Sequence, residues 1–401
     1  MLSIKIVIVF FMLTSLLFFF LFIPTRLTTP FSTFKLEPTI NHFNTTMANN
    51  SYPVAFAYLI TASKGDVGKI KRLVRALYHP GNYYLIHMDS GAPEADHRAV
   101  VEYVAKEQVF GQLRNVWVVG KRNLVTYRGP TMLSTTLHGM AMLLRSCNWD
   151  WFINLSASDY PLVTQDDMIQ AFSQVPRDIN FIHHSSQLGW KLNKRGKPII
   201  IDPGLYSLKK SQIWTVTKQR SLPTSFKLYT GSAWTVLSRS FAEYCIIGWE
   251  NLPRILLLYY TNFVSSPEGY FQTLICNSKD YKNTTSNNDL HFITWDNPPK
   301  QHPRTIGLKD YKKMVLSNRP FARKFKKNDP ILDKIDRELL KRHHGQFSFG
   351  GWCSEGDKHK GCKSLKIESY GVLKPGPASK KLKALLSYSL SSKVFHKQQC
   401  R

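Results

Sequence analysis

From residue 52 to residue 183 the chain alternates between short apolar runs and stretches with helical spacing. Residues 54–60 contain no polar alternation, the pattern of a strand buried on both faces. Residues 68–78 then put Ile70, Leu73, Val74 and Leu77 on one helical face. The cycle repeats, with strands expected at 83–89, 116–119, 151–155 and 180–183 and helices at 99–109 and 131–145. Such alternation admits few topologies. Right-handed β-α-β units close into an α/β fold with a mostly parallel sheet. Ligands of such sheets bind beyond the carboxyl ends of the strands. Asp89 and Asp159 stand at two of these ends, where an aspartate serves a ligand or simply closes a turn.

Upstream, residues 6–23 contain no charged side chain. At about 1.5 Å per residue the run spans about 27 Å, enough for a thin bilayer. No small-x-small cleavage pattern follows Ile23, so the run reads as an uncleaved signal anchor. Residues 1–5 are then a cytoplasmic tail. Residues 24–51, rich in Pro, Thr, Ser and Asn, are a stem. Asn44 and Asn49 open glycosylation triplets in that stem, and Asn283 opens another in the globular part. Asn154 opens a fourth, inside an expected buried strand where a glycan has no room.

The chain carries 54 basic and 27 acidic side chains, a formal charge of +27. That excess calls for an anionic partner: nucleic acid, lipid headgroups or a phosphorylated or carboxylated substrate. A lumenal location removes nucleic acid, and no nucleic-acid motif is present. Much of the excess falls in 299–345, which includes Arg304, Arg323, Lys324, Lys326 and Lys327. This segment reads as a solvated basic surface or as a clamp on a diphosphate leaving group. Asp-x-Asp and paired Cys-x-x-Cys patterns are missing from the sequence, so no metal site is expected. The 65–69 stretch is a poor phosphate loop, with the wrong glycine spacing and Ile70 where a hydroxyl is needed. In an oxidising lumen Cys353 and Cys362, which enclose a short loop, are expected to pair. Cys147, Cys245, Cys276 and Cys400 remain unassigned. Residues 366–401 read as a basic C-terminal extension, its last part loosely held.

Residues 265–277 read Ser-Ser-Pro-Glu-Gly-Tyr-Phe-Gln-Thr-Leu-Ile-Cys-Asn. Pro267 suits a first helical turn, and Tyr270, Phe271, Leu274 and Ile275 share one face. Glu268 would then sit at a helix N-terminus beside bulky apolar groups. A general base fits there, and so does an ordinary acidic first-turn residue.

Several stretches together resemble the core-2/I-branching glycosyltransferases, family 14 of the glycosyltransferases. The resemblance covers residues 52–365. It rests on the 154–162 loop with Asp159-Tyr160-Pro161, on Gly231-Ser232-Ala233-Trp234, on Pro267-Glu268-Gly269-Tyr270-Phe271, and on Phe321-Ala322-Arg323-Lys324-Phe325. It implies a GT-A type, Rossmann-like domain anchored in the Golgi membrane as a single-pass type II protein. It also implies inverting, metal-independent transfer from a UDP-sugar without a cofactor. Glu268 falls on the family's base, and Arg304 and Lys324 on its diphosphate ligands. Trp295, with Asp296 beside it, falls on an acceptor contact, although Trp295 could also be core. Asp89, Asp159, Tyr127 and Arg128 are further donor-site candidates. The Ser-Pro-Glu-Gly-Tyr-Phe and Phe-Gly-Gly-Trp-Cys stretches are most similar to the plant branch, which implies transfer of glucuronic acid onto β-galactan side chains of arabinogalactan proteins. Two alternatives remain open: a β-1,6-N-acetylglucosaminyltransferase using UDP-GlcNAc, and a non-catalytic lumenal carbohydrate-binding protein.

Overall fold

The computed structural model describes residues 52–400 except 208, 210, 211, 299, 301, 354–361 and 363–368. The expected tail, anchor and stem, with Asn44 and Asn49, lie outside the described residues. Among the described residues no helix is long and apolar enough to cross a membrane.

The strands, in chain order, are β1 (Phe56–Ala62), β2 (Tyr83–Met88), β3 (Val116–Val118), β4 (Trp151–Ser156), β5 (Asp159–Pro161), β6 (Asn180–Phe181), β7 (His184–Ser185), β8 (Pro198–Ile201), β9 (Trp214–Gln219), β10 (Thr230–Gly231), β11 (Val236–Ser238), β12 (Thr285–Ser286), β13 (His291–Ile293) and β14 (Phe321–Arg323). Seven form the central sheet in the order β12-β6-β11-β4-β1-β2-β3. β1 runs parallel to β2 and β4, β2 parallel to β3, and β12 parallel to β6. β11 alone in this sheet runs against its neighbours. The sheet is therefore mostly parallel, as the sequence alternation requires. The stretch around Trp234 lies between β10 and β11.

Strand periodicity sorts the core into two layers. Phe56, Tyr58 and Ile60 of β1 join one apolar cluster with Ile70, Leu73 and Val74 of helix Val67–Leu77. Ala57 and Leu59 join the other with Leu133, Leu137 and Met140 of helix Thr131–Ser146. Both faces of β1 are covered, which explains its unbroken apolar run. Gly139 permits the close approach on the second face: a Cβ there would lie 2.7 Å from Leu59 Cδ1.

The chain enters the sheet at the amino edge of β1. There Arg177 Nη2 donates to the Pro53 carbonyl at 2.7 Å, and Ala55 N donates to Asp150 Oδ2 at 2.8 Å.

The C-terminal region differs from the loose extension expected of it. Helix Pro377–Ser389 packs beside helix Gln165–Phe172 with Leu382 and Leu386 buried. Asp166 Oδ2 accepts from Gly351 N and Lys374 N, and Asp167 Oδ1 from Gly376 N and Ser379 N. Two carboxylates thus organise a segment whose composition looks like tail. A disulfide joins Cys276 to Cys400, and another joins Cys353 to Cys362.

Candidate active site

The loops beyond the carboxyl ends of β2 and β4 carry the first candidates. Asp89 is buried, and its Oδ1 accepts from Gly91 N at 3.0 Å and Val125 N at 3.1 Å. It fixes the path of the segment that leads to Tyr127 and Arg128. Arg128 adopts a left-handed backbone with φ 72°, and its carbonyl accepts from Ser265 N at 2.7 Å. Ser265 is itself left-handed at φ 58°. Two such residues in contact are uncommon and tend to mark built sites.

Ser265 caps a short 3-10 turn, Ser266–Glu268, and helix Tyr270–Asn277 begins after Gly269. Pro267 therefore sits inside the 3-10 turn, and Glu268 precedes the α-helix instead of lying in its first turn. Glycine at this break has a steric reason. Gly269 lies against Tyr260, where a Cβ would come within 2.7 Å of the ring.

The Glu268 side chain is 31% exposed, and its Oε2 accepts from Arg195 Nη1 at 2.5 Å. Arg195 belongs to the π-helical turn Leu192–Gly196, and its guanidinium lies 5.5 Å from the Trp190 ring centroid. Lys191 Nζ donates to Thr230 Oγ1 at 3.2 Å, and that hydroxyl donates to the Glu268 carbonyl at 3.1 Å. Desolvation holds the Lys191 ammonium below its usual pKa. Arg195 pushes it the same way, and Glu268 opposes both. Tyr127 exposes more than half its surface, and its hydroxyl meets His302 Nδ1 at 3.1 Å. Its phenol is nevertheless raised, first by desolvation and then by the Glu268 charge, against the pull of Arg323, Arg195 and Arg128. These side chains thus share one electrostatic neighbourhood.

Asp159 and Arg323 meet across the β5–β14 register, with Arg323 Nε 3.1 Å from Asp159 Oδ1. Asp159 Oδ2 accepts from Ser156 N at 2.5 Å and Ser156 Oγ at 2.6 Å. The guanidinium lies 3.8 Å from the Trp234 ring centroid. Burial lowers its pKa, and Asp159 partly restores it. Asp159 thus anchors its own loop and its partner strand.

Lys324 is half-buried and makes no ion pair with the described residues. Its carbonyl accepts from Ile306 N at 3.0 Å, which brings the Arg304 segment alongside. Arg304 itself is engaged: Nη1 and Nη2 donate to the two Asp310 oxygens at 2.9 and 2.7 Å. This fork holds the Asp310 carboxyl below its usual pKa. Trp295 is 51% exposed, so it is no core residue. Asp296 acts electrostatically on Arg304.

The model of the family described as "Core-2/I-Branching enzyme" matches residues 56–315. This chain belongs to the core-2/I-branching enzyme family. Members are glycosyltransferases, so the enzyme joins a sugar donor to a glycan acceptor. Beta-glucuronosyltransferase GlcAT14A of Arabidopsis thaliana is 53% identical over 87% of this chain and 78% of its own length. Beta-glucuronosyltransferase GlcAT14C of the same plant is 48% identical over 89% of this chain and 88% of its own. Xylosyltransferase 2 of Homo sapiens is 30% identical over 72% of this chain and 34% of its own.

In this core-2/I-branching enzyme Glu268, Tyr127 and Arg128 come together, and the Lys324 and Arg304 segments run side by side. Asp89 and Asp159 support loops from buried positions. Asn283 is exposed on the turn before β12. Asn154 is buried, its amide spent on Ala233 and Thr235. Sequence reasoning missed Arg195 and Lys191. The only signal was the basic character of the 191–198 loop, and nothing local says that it folds onto Glu268.

Proposed function

We propose that this enzyme transfers glucuronic acid from UDP-glucuronic acid, with inversion and without a metal, onto β-galactan side chains of arabinogalactan proteins. The observation that carries the reading is the half-exposed Glu268 carboxylate, set among cations on a strained turn, in a chain about half identical to two named β-glucuronosyltransferases. Glu268 takes the proton from the acceptor hydroxyl as its oxygen attacks the anomeric carbon. The bond from that carbon to the UDP oxygen breaks on the opposite face. Lys324, which makes no ion pair among the described residues, stabilises the diphosphate charge as it develops. Arg304 joins it by sharing its fork between Asp310 and phosphate. The exposed indole of Trp295 offers a face to an acceptor sugar, with Asp296 at its side.

In this reading residues 6–23 anchor the enzyme in the Golgi membrane with the catalytic unit lumenal, and Asn44, Asn49 and Asn283 are glycosylation sites. The test incubates the protein with UDP-glucuronic acid or UDP-GlcNAc, a β-galactan oligosaccharide and EDTA. Glucuronylated product under EDTA is expected. Product only after manganese is added overturns the metal-free step, and product only from UDP-GlcNAc overturns the donor.

A further inference from the structure

The cations around Glu268 are not all committed. Arg323 faces Asp159 and Arg304 faces Asp310. Arg195 and Lys191 face one carboxylate between them, that of Glu268. This pair of cations therefore has one positive charge left over in a partly desolvated place. The Arg195 side chain is only 16% exposed. Its Nη1 is bound to Glu268, while Nε and Nη2 make no hydrogen bond to the described residues. These two atoms form the side-on edge of the guanidinium, whose spacing matches the two oxygens of a carboxylate. The Trp190 ring beside the guanidinium restrains its plane.

We propose that Arg195, backed by Lys191, binds the C6 carboxylate of the donor's uronic acid and so selects glucuronic acid over neutral hexoses. This rests on the reading of Glu268 as the base and of the donor as UDP-glucuronic acid. In a hexuronic acid C6 is a few bonds from C1. A cation touching the base that serves C1 is therefore within reach of C6. A carboxylate docked on the Nε/Nη2 edge leaves the Nη1 bond to Glu268 intact, so base and donor share one guanidinium. UDP-glucose, with a hydroxymethyl group at C6, leaves that edge unpaired and the extra charge unbalanced. A charged hydrogen-bonded contact of this kind discriminates by roughly 10²-fold.

The test uses the full chain in detergent. It measures kcat/KM and calorimetric affinity for UDP-glucuronic acid and UDP-glucose in the wild type, Arg195→Met, Arg195→Lys and Lys191→Met. The wild type should prefer UDP-glucuronic acid. Arg195→Met should collapse that preference by roughly 10²-fold in both readouts, and Arg195→Lys should keep part of it. If Arg195→Met does not fold, Arg195→Lys and Lys191→Met decide through the same ratio, each with a fall of roughly tenfold. A preference left intact while both donors slow equally overturns the proposal, because Arg195 would then only position Glu268. A wild type that does not prefer UDP-glucuronic acid overturns the donor reading itself, and this proposal with it.

Discussion

At the scale of single residues, Glu268 and Lys324 divide the proposed chemistry between proton transfer and charge stabilisation. Glu268→Gln keeps the shape and removes the base. Turnover should fall roughly 10²- to 10⁴-fold in a protein with unchanged circular dichroism. Near-normal turnover would sink the assignment. Lys324→Ala should weaken calorimetric binding of UDP alone by roughly tenfold or more, because it is a proposed diphosphate cation and has no acidic partner in the described structure. Equal affinity would move the diphosphate elsewhere. Glu268 and Lys324 could be named as candidates from the sequence because their neighbours in the chain carry the pattern. Arg195 was not, since it meets Glu268 across a separation of 73 residues. Asp159 was legible as a strand-end carboxylate, but its partner Arg323 comes from β14, a segment distant in the chain that pairs with β5 in the small sheet.

At the scale of elements, the parallel core was readable because each strand buried on both faces lacks polar alternation, and each crossover helix shows one apolar stripe. The segments outside that pattern were not. The β8–β9 hairpin leaves most of β9 exposed, so β9 offers no apolar run to read. One of the hairpin's connections to the core is a carboxylate. Fully buried Asp202 accepts from Thr131 N at 3.2 Å, Thr131 Oγ1 at 2.8 Å and Gly204 N at 2.9 Å. It ties the end of β8 to the start of helix Thr131–Ser146, just after Tyr127 and Arg128. Asp202→Ala leaves several buried donors unpaired and should cost about 2 to 4 kcal/mol, read as a lowered denaturation midpoint. An unchanged midpoint would mean that water replaces the carboxylate.

At the scale of the whole molecule, two buried histidines couple stability to pH. Desolvation pushes His87 and His184 down to about 4. Both are neutral in the folded protein at neutral pH, and the unfolded chain binds their protons more readily. The stability they contribute is therefore complete above about pH 6.5 and is lost as pH falls toward 4, by at most about 3 kcal/mol per histidine. Urea midpoints should drop steadily between pH 7 and pH 4.5, and less steeply in His87→Gln. A flat profile would contradict the burial argument. The Cys276–Cys400 disulfide closes a loop of 124 residues and ties the C-terminal region to the helix that follows Glu268. Cys276→Ser should cost about 2 to 5 kcal/mol in thermal or chemical unfolding, and a smaller loss would place the hold on the C-terminal region in the Leu382 and Leu386 packing. Composition alone could not show this closure, because the docked helix is as basic as a loose tail.

The amino edge of β1, where residues 53–55 are pinned, lies at the opposite pole of the sheet from the loops that hold Glu268, Tyr127 and Lys324. Residue 52 therefore joins the sheet on the side away from the proposed catalytic loops. With the proposed anchor at residues 6–23, changing the length of chain before residue 52 should alter which polymers the enzyme can reach. It should leave turnover of short, freely diffusing acceptors the same.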